Sequence, residues 1–126
     1  MWICLNNGFV SVVVDRDDSE RLLVRARRKR DLEKILGKDS EIFEDPAADY
    51  RWRCFVGRPD FKKIVDQRID AIDYPNFKNS VIDEDLHQLY MEFWTLHHRY
   101  QKADRSAATR NRRNHFSREP GDLEKP

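Results

Sequence analysis

Asn7-Gly8 lies between two strand-like apolar runs within Trp2 to Val14, and no other feature of the chain restricts its fold as strongly. A two-residue type I′ turn needs positive φ at both central positions, which Asn and Gly tolerate best, so the segment reads as a β-hairpin. In that register Leu5 faces Val10 and Ile3 faces Val12, which makes one face of the hairpin aliphatic. A sheet grown from this hairpin must bury that face.

The alternation continues. After polar Asp15 to Glu20, a third strand is predicted over about Arg21 to Ala26, with Leu22, Val24 and Ala26 on one face and Leu23, Arg25 and Arg27 towards the other. From Lys29 to Leu36 the period becomes helical, and Gly37 follows as the residue after the helix end. A short strand is expected around Glu41 to Phe43. A clearer one spans Tyr50 to Val56, with Tyr50, Trp52, Cys54 and Val56 pointing one way and Arg51, Arg53 and Phe55 the other.

Pro59 suits a first helical position, and Phe61, Ile64, Val65, Ile69 and Ile72 form the apolar stripe of a second helix. Pro75 ends any continuation. A third helix is capped by Asp83 and carries Leu86, Leu89, Tyr90, Phe93, Leu96, His97 and Tyr100 at steps of three and four. Beyond Ala103 the apolar period ends. Residues 104–126 are therefore expected to form a polar, disordered tail, and residues 1–103 a single α+β domain. The order β-β-β-α-β-β-α-α predicts a two-layer sandwich: an antiparallel sheet of about five strands, three helices, and the first two helices on the aliphatic face.

Four stretches, Leu22-Leu23-Val24-Arg25-Ala26-Arg27, Asp49-Tyr50-Arg51-Trp52-Arg53, Ile72 to Val81 and Leu86-His87, together resemble a set of small bacterial and mobile-element proteins with no assigned activity. The resemblance covers roughly residues 1–100. It implies a bacterial or mobile-element origin and one compact domain, and it transfers no catalytic residue.

The 126 residues hold 24 Lys+Arg against 23 Asp+Glu, a net charge of +1, which excludes coating of nucleic acid by bulk charge. The near-zero total hides a partition. Residues 1–38 carry 9 basic and 6 acidic groups, residues 39–102 carry 9 and 13, and residues 103–118 carry 5 and 1. No apolar run reaches the ~20 residues of a membrane helix, and no basic residues precede the first apolar run as in a secretory signal. A cytosolic location is expected, with Cys4 and Cys54 as free thiols and no cofactor.

Arginine on the sheet is the feature most suggestive of function. Arg25, Arg27, Arg51 and Arg53 are predicted to share the face opposite the aliphatic one, with Phe55 available for stacking and Arg28, Lys29 and Arg30 extending the patch. Guanidinium forks bind phosphate or carboxylate bidentately. The competing reading is a solvated face whose arginines pair with nearby carboxylates. Tyr50 and Trp52 are expected to point inward, unlike the central aromatics of sheet-type RNA-binding modules.

Arg105, Arg110, Arg112, Arg113 and Arg118 add a basic arm or simply a polar end. On the third helix, Tyr90, Trp94 and His98 suggest a protein interface, including one with a second copy of the chain. Asp83 and His87 are four apart, but His97 stands about 15 Å further along the axis, so no metal site is predicted. No phosphate-cradling Gly loop or nucleophile elbow is present. The expected function is that of a non-enzymatic binding or adaptor protein for an anionic protein or nucleic-acid surface. The alternatives are a homodimeric interaction module using the third helix, and a small enzyme with a dispersed site.

Overall fold

The computed structural model describes residues 1–116, apart from the side chains of 105–108 and 113–116. Five strands, β1 (Trp2–Leu5), β2 (Gly8–Val14), β3 (Arg21–Ala26), β4 (Phe43–Glu44) and β5 (Trp52–Gly57), form one antiparallel sheet in the order β1-β2-β3-β5-β4. Helices α1 (Lys29–Leu36) and α2 (Arg58–Asp70) follow β3 and β5, and α3 spans Glu84–Phe116 after a 3-10 turn at Lys78–Ser80. This is the α+β arrangement and element order expected from the periodicity.

The ladder assigns every strand residue to a face. Ile3 and Val10 are opposite each other, as are Val12, Val24 and Cys54 across three strands, and Val14, Leu22 and Val56. These residues, with Ala26 and Trp52, make the first face. Leu32 and Ile35 of α1 and Phe61 of α2 close over it, and Leu32, Val10 and Val24 are fully buried. Within the strands, alternation thus sorted the side chains between the helix-covered face and the second face, on which Phe9 and Ser11 are nonetheless buried.

The hairpin pairing differs from expectation by two residues. Asn6-Asn7 form the turn, Leu5 pairs with Gly8, and Ile3 pairs with Val10 instead of Val12. The parity of each side chain is unchanged, so the aliphatic face survives. Among the described residues no non-glycine has positive φ, and Gly8 does not either, so this is not the I′ turn that Asn-Gly suggests. Gly8 is needed for closeness. A Cβ there would lie 3.1 Å from Ile35 Cδ1, 3.2 Å from Asp31 Cβ and 3.3 Å from Asp31 Cα, so α1 seats directly on the strand.

Three boundaries also moved. The fourth strand is Phe43–Glu44, the fifth begins at Trp52, and α2 ends at Asp70, leaving Ile69 and Ile72 exposed while Phe61, Ile64 and Val65 serve the core. Helix α3 begins as expected, with the Leu86 N–H donating to Asp83 Oδ1 at 2.9 Å. It then runs past Ala103 to Phe116, where a disordered tail was expected. Loss of an apolar period removes tertiary burial, but propagation of a formed helix needs only good helix formers such as Lys102, Ala103, Arg105, Ala107 and Ala108. Residues 117–126 lie outside the described residues.

Met1–Tyr90 form one compact unit and a second begins at Met91, inside α3. The first turns of α3 are tied into the first unit. Arg28 and Arg30, flanking the start of α1, pair with Asp85 at 3.0 Å and Asp83 at 2.9 Å. The Tyr90 hydroxyl lies 2.8 Å from the Leu5 carbonyl and 3.0 Å from that of Gly8, donating to one of them at a time. No helix of the described residues is long and apolar enough to cross a membrane.

Asp31 is buried beneath the hairpin and accepts from the Phe9 N–H at 3.3 Å. Desolvation raises its carboxyl above the usual range, against the opposing pull of that bond and of Arg30, Lys34 and Arg28. A raised carboxyl favours the protonated folded state, so its charge lowers stability at neutral pH and this loss fades as pH falls through the folded pKa towards about 4. Asp31→Asn, which keeps an oxygen acceptor, is expected to raise the melting temperature at pH 7, with the gain shrinking at acid pH. Gly8→Ala is expected to cost about 1–3 kcal/mol in urea unfolding, because neither the helix backbone nor Ile35 can retreat freely.

Candidate functional site

The second face of the sheet is polar and aromatic. One ladder row, Trp2, Ser11, Arg25, Arg53 and Phe43, crosses all five strands, and a neighbouring row holds Val13, Leu23 and Phe55. Arg25 and Arg53 are directly opposite each other on hydrogen-bonded strands. Like charges in that position repel, so their surroundings decide how they are held.

The segment Asp49-Tyr50 supplies most of those surroundings. Tyr50 was expected on the core face, but the strand begins only at Trp52, and the preceding residues bend across the second face. The Tyr50 ring is buried beneath two guanidinium groups, with Arg27 Cζ 4.1 Å and Arg25 Cζ 4.7 Å from its centroid. Arg53 Nε donates to the Tyr50 carbonyl at 3.0 Å, which diverts that oxygen from the sheet ladder and holds the bend. Arg27 Nη1 donates to the Asp49 carbonyl, and Arg53 Nη2 lies 3.6 Å from Asp49 Oδ1.

Three arginines therefore converge on Tyr50 with one carboxylate, Asp49, beside them. Among the described residues Arg25 has no carboxylate partner. Its Nη2 donates to Ser11 Oγ at 2.7 Å, and its buried Nε finds no acceptor. An orphaned donor on a charged group is costly and is uncommon in a folded chain.

Arg51, expected among this cluster, sits apart: its Nε donates to Glu44 Oε1 at 2.6 Å on the β4 edge, and more than half of its side chain is exposed. Arg28 and Arg30 do not extend the patch either, because both are held by Asp85 and Asp83. Lys29 Nζ lies 5.6 Å from the Trp52 ring centroid, towards the core side.

Phe55 is exposed, as the candidate ligand-stacking residue must be, and it is not alone. Phe43 stacks on it with centroids 5.6 Å apart, and Arg21 Cζ lies 4.2 Å from its centroid. Arg21 is anchored by Asp15, its Nε donating to Oδ2 at 2.7 Å. Burial tends to raise the Asp15 carboxyl, but the bonds from Arg21, Asp17 and Arg16 prevail and hold it below the usual range.

Phe43, Arg21, Ser11 and Tyr50 are the site residues that sequence reasoning missed. Arg21 has the same parity as Arg25 and was recoverable from the alternation. Tyr50 was not, because its face depends on the bend.

The third-helix candidates separate. Tyr90 is buried and bonded to the hairpin, so it is an internal anchor and not an interface residue. Trp94 and His98 lie in the second unit and stack on each other, 5.2 Å apart and 8° from parallel. Among the tail arginines, Arg110 and Arg112 are exposed on α3; Arg105 and Arg113 have no described side chain, and Arg118 lies outside the described residues.

Cys4 and Cys54 lie on opposite faces of the sheet, and both thiols are free. Desolvation raises both above their ordinary value, with Glu41 adding to the effect at Cys54, so neither is an activated nucleophile. Among the described residues no three His, Cys, Asp or Glu side chains are grouped as a metal site requires. No family model, curated protein or solved structure matches the chain.

Tyr50 is the keystone of the arginine cluster. Tyr50→Leu preserves much of the apolar bulk but removes the ring face under two guanidinium groups. It is expected to cost about 1–2 kcal/mol in denaturant unfolding, with the loss concentrated in protection of the Asp49–Arg53 amides measured by hydrogen exchange.

Proposed function

We propose that this chain is a non-enzymatic binding module whose second sheet face recognises a single strand of nucleic acid. The observation that supports this most is the cluster of Arg25, Arg27 and Arg53 about Tyr50, with Asp49 the one carboxylate beside it, next to the exposed Phe43–Phe55 stack. A phosphate placed against the guanidinium groups of Arg53 and Arg25 would offset their mutual repulsion. Bases would stack on Phe55 and Phe43, each ring already held flat by its neighbour or by Arg21. Guanidinium forks beside exposed rings are the combination that single-strand binding uses.

The near-neutral whole chain is compatible with such a module because the charge is local. Two free thiols on opposite faces of the sheet fit a reducing, cytosolic setting. An acidic protein surface is the competing partner. It would use the same arginines but has no need of the aromatic pair.

Fluorescence polarisation with a labelled mixed-sequence single-stranded oligonucleotide tests the proposal. Binding is expected to weaken steeply with salt, and Phe55→Ala to lower affinity by about 1–3 kcal/mol, roughly five- to 150-fold. Arg25→Ala/Arg53→Ala should reduce both affinity and salt dependence. Absence of binding at low salt, or binding indifferent to these substitutions, rejects the assignment. Salt-sensitive binding that ignores Phe55 transfers the face to an acidic protein.

A further inference from the structure

The apolar stripe that opens α3 does not stop where the first unit ends. Leu86, Leu89, Phe93, Leu96, Tyr100 and Ala103 recur at alternating steps of three and four, the a/d repeat of a two-stranded coiled coil. Leu86 is buried and Leu89 half-buried within the first unit. Further along, Leu96 is 55% and Tyr100 84% exposed, and every described side chain from Trp94 to Asp104 is exposed. Leu96 and Tyr100 thus leave large apolar side chains of the stripe open to water.

The flanking charges identify what covers them. With Phe93 and Tyr100 at a and Leu96 and Ala103 at d, Arg99 falls at g and Asp104 at the following e. Five residues apart on one helix, these two do not face each other, and among the described residues neither forms an ion pair. In a parallel pair of helices, g of one copy meets the next e of the other. Arg99 then meets the partner's Asp104 and Asp104 meets the partner's Arg99, two opposite-charge pairs from one sequence. The same rule sets Glu92 against the partner's His97. An antiparallel pair sets g against g and e against e and loses this match.

We infer that α3 forms a parallel two-stranded coiled coil with a second copy of this chain through Phe93, Leu96, Tyr100 and Ala103, with Arg99–Asp104 fixing the register. Trp94 and His98 occupy b and f, on the outside of the coil, so the residues that first suggested an interface lie off its seam. The inference is independent of the oligonucleotide-binding proposal, since it uses no residue of the sheet.

Sedimentation equilibrium of the full chain reads it directly. The parent is expected to be a dimer. Arg99→Asp or Asp104→Arg alone should raise the dissociation constant roughly tenfold, by replacing two attractive pairs with two repulsive ones. The double exchange should return it to the parent value, and far-UV circular dichroism should show the fold unchanged in all four proteins. Leu96→Cys in a Cys4→Ser background should cross-link as a covalent dimer on mild oxidation, as a parallel d position requires. A parent that stays monomeric, single exchanges without effect, a double exchange that fails to restore association, or no cross-link at position 96 would each overturn it.

Discussion

Arg25 and Arg53 stand directly opposite each other on hydrogen-bonded strands, and the second face of the sheet is organised around managing that repulsion. A sheet tolerates a like-charge pair poorly. Here each guanidinium group has partners of its own: Arg25 the Ser11 hydroxyl and the Tyr50 ring, Arg53 the Tyr50 carbonyl and Asp49. All of those contacts except the Arg25–Ser11 bond depend on Asp49-Tyr50 leaving the line of β5 and folding across the face. The bend therefore makes the cluster, and the cluster holds the bend.

The rest of the first unit gives that face a rigid support. Leu32 and Ile35 of α1 and Phe61 of α2 bury the opposite side of the same strands, so β2, β3 and β5 cannot shift register to relieve the arginines. Gly8 lets α1 sit against the hairpin, and the charged residues around α1's start reach Asp83 and Asp85 at the start of α3. The polar cluster is a local strain that the apolar face outweighs. Arg25 Nε, buried and without an acceptor among the described residues, is part of that strain.

Much of this was legible in period-two alternation. It sorted Val10, Val12, Val24, Cys54 and Val56 from Ser11, Arg25, Arg53 and Phe55, because a pleated strand permits only two directions. What alternation could not reach was any place where the backbone leaves the strand. Tyr50 was assigned to the core by extending the pattern through a bend set by Arg53 and Asp49, three and four residues apart from their partners. Asn7-Gly8 looked like a turn because its propensity is high, yet Gly8 is absorbed into β2 by the close approach of α1, a tertiary demand that overrides local preference. Helix α3 outlasted its apolar pattern because local propensity sustains a helix where packing no longer reads as a stripe. Arg51 was placed with the cluster by parity alone, whereas the nearness of Glu44 on an edge strand decides its partner.

The most direct measurement is an NMR titration of the arginine Nε–H signals, which report each guanidinium separately. Adding unlabelled single-stranded oligonucleotide should shift the Arg25 and Arg53 Nε–H resonances together with the backbone amides of Phe43 and Phe55, while signals of α1 and α2 on the opposite face stay in place. Shifts confined to α3 or to the helical layer, with Arg25 and Arg53 unmoved, would contradict a binding role for this face.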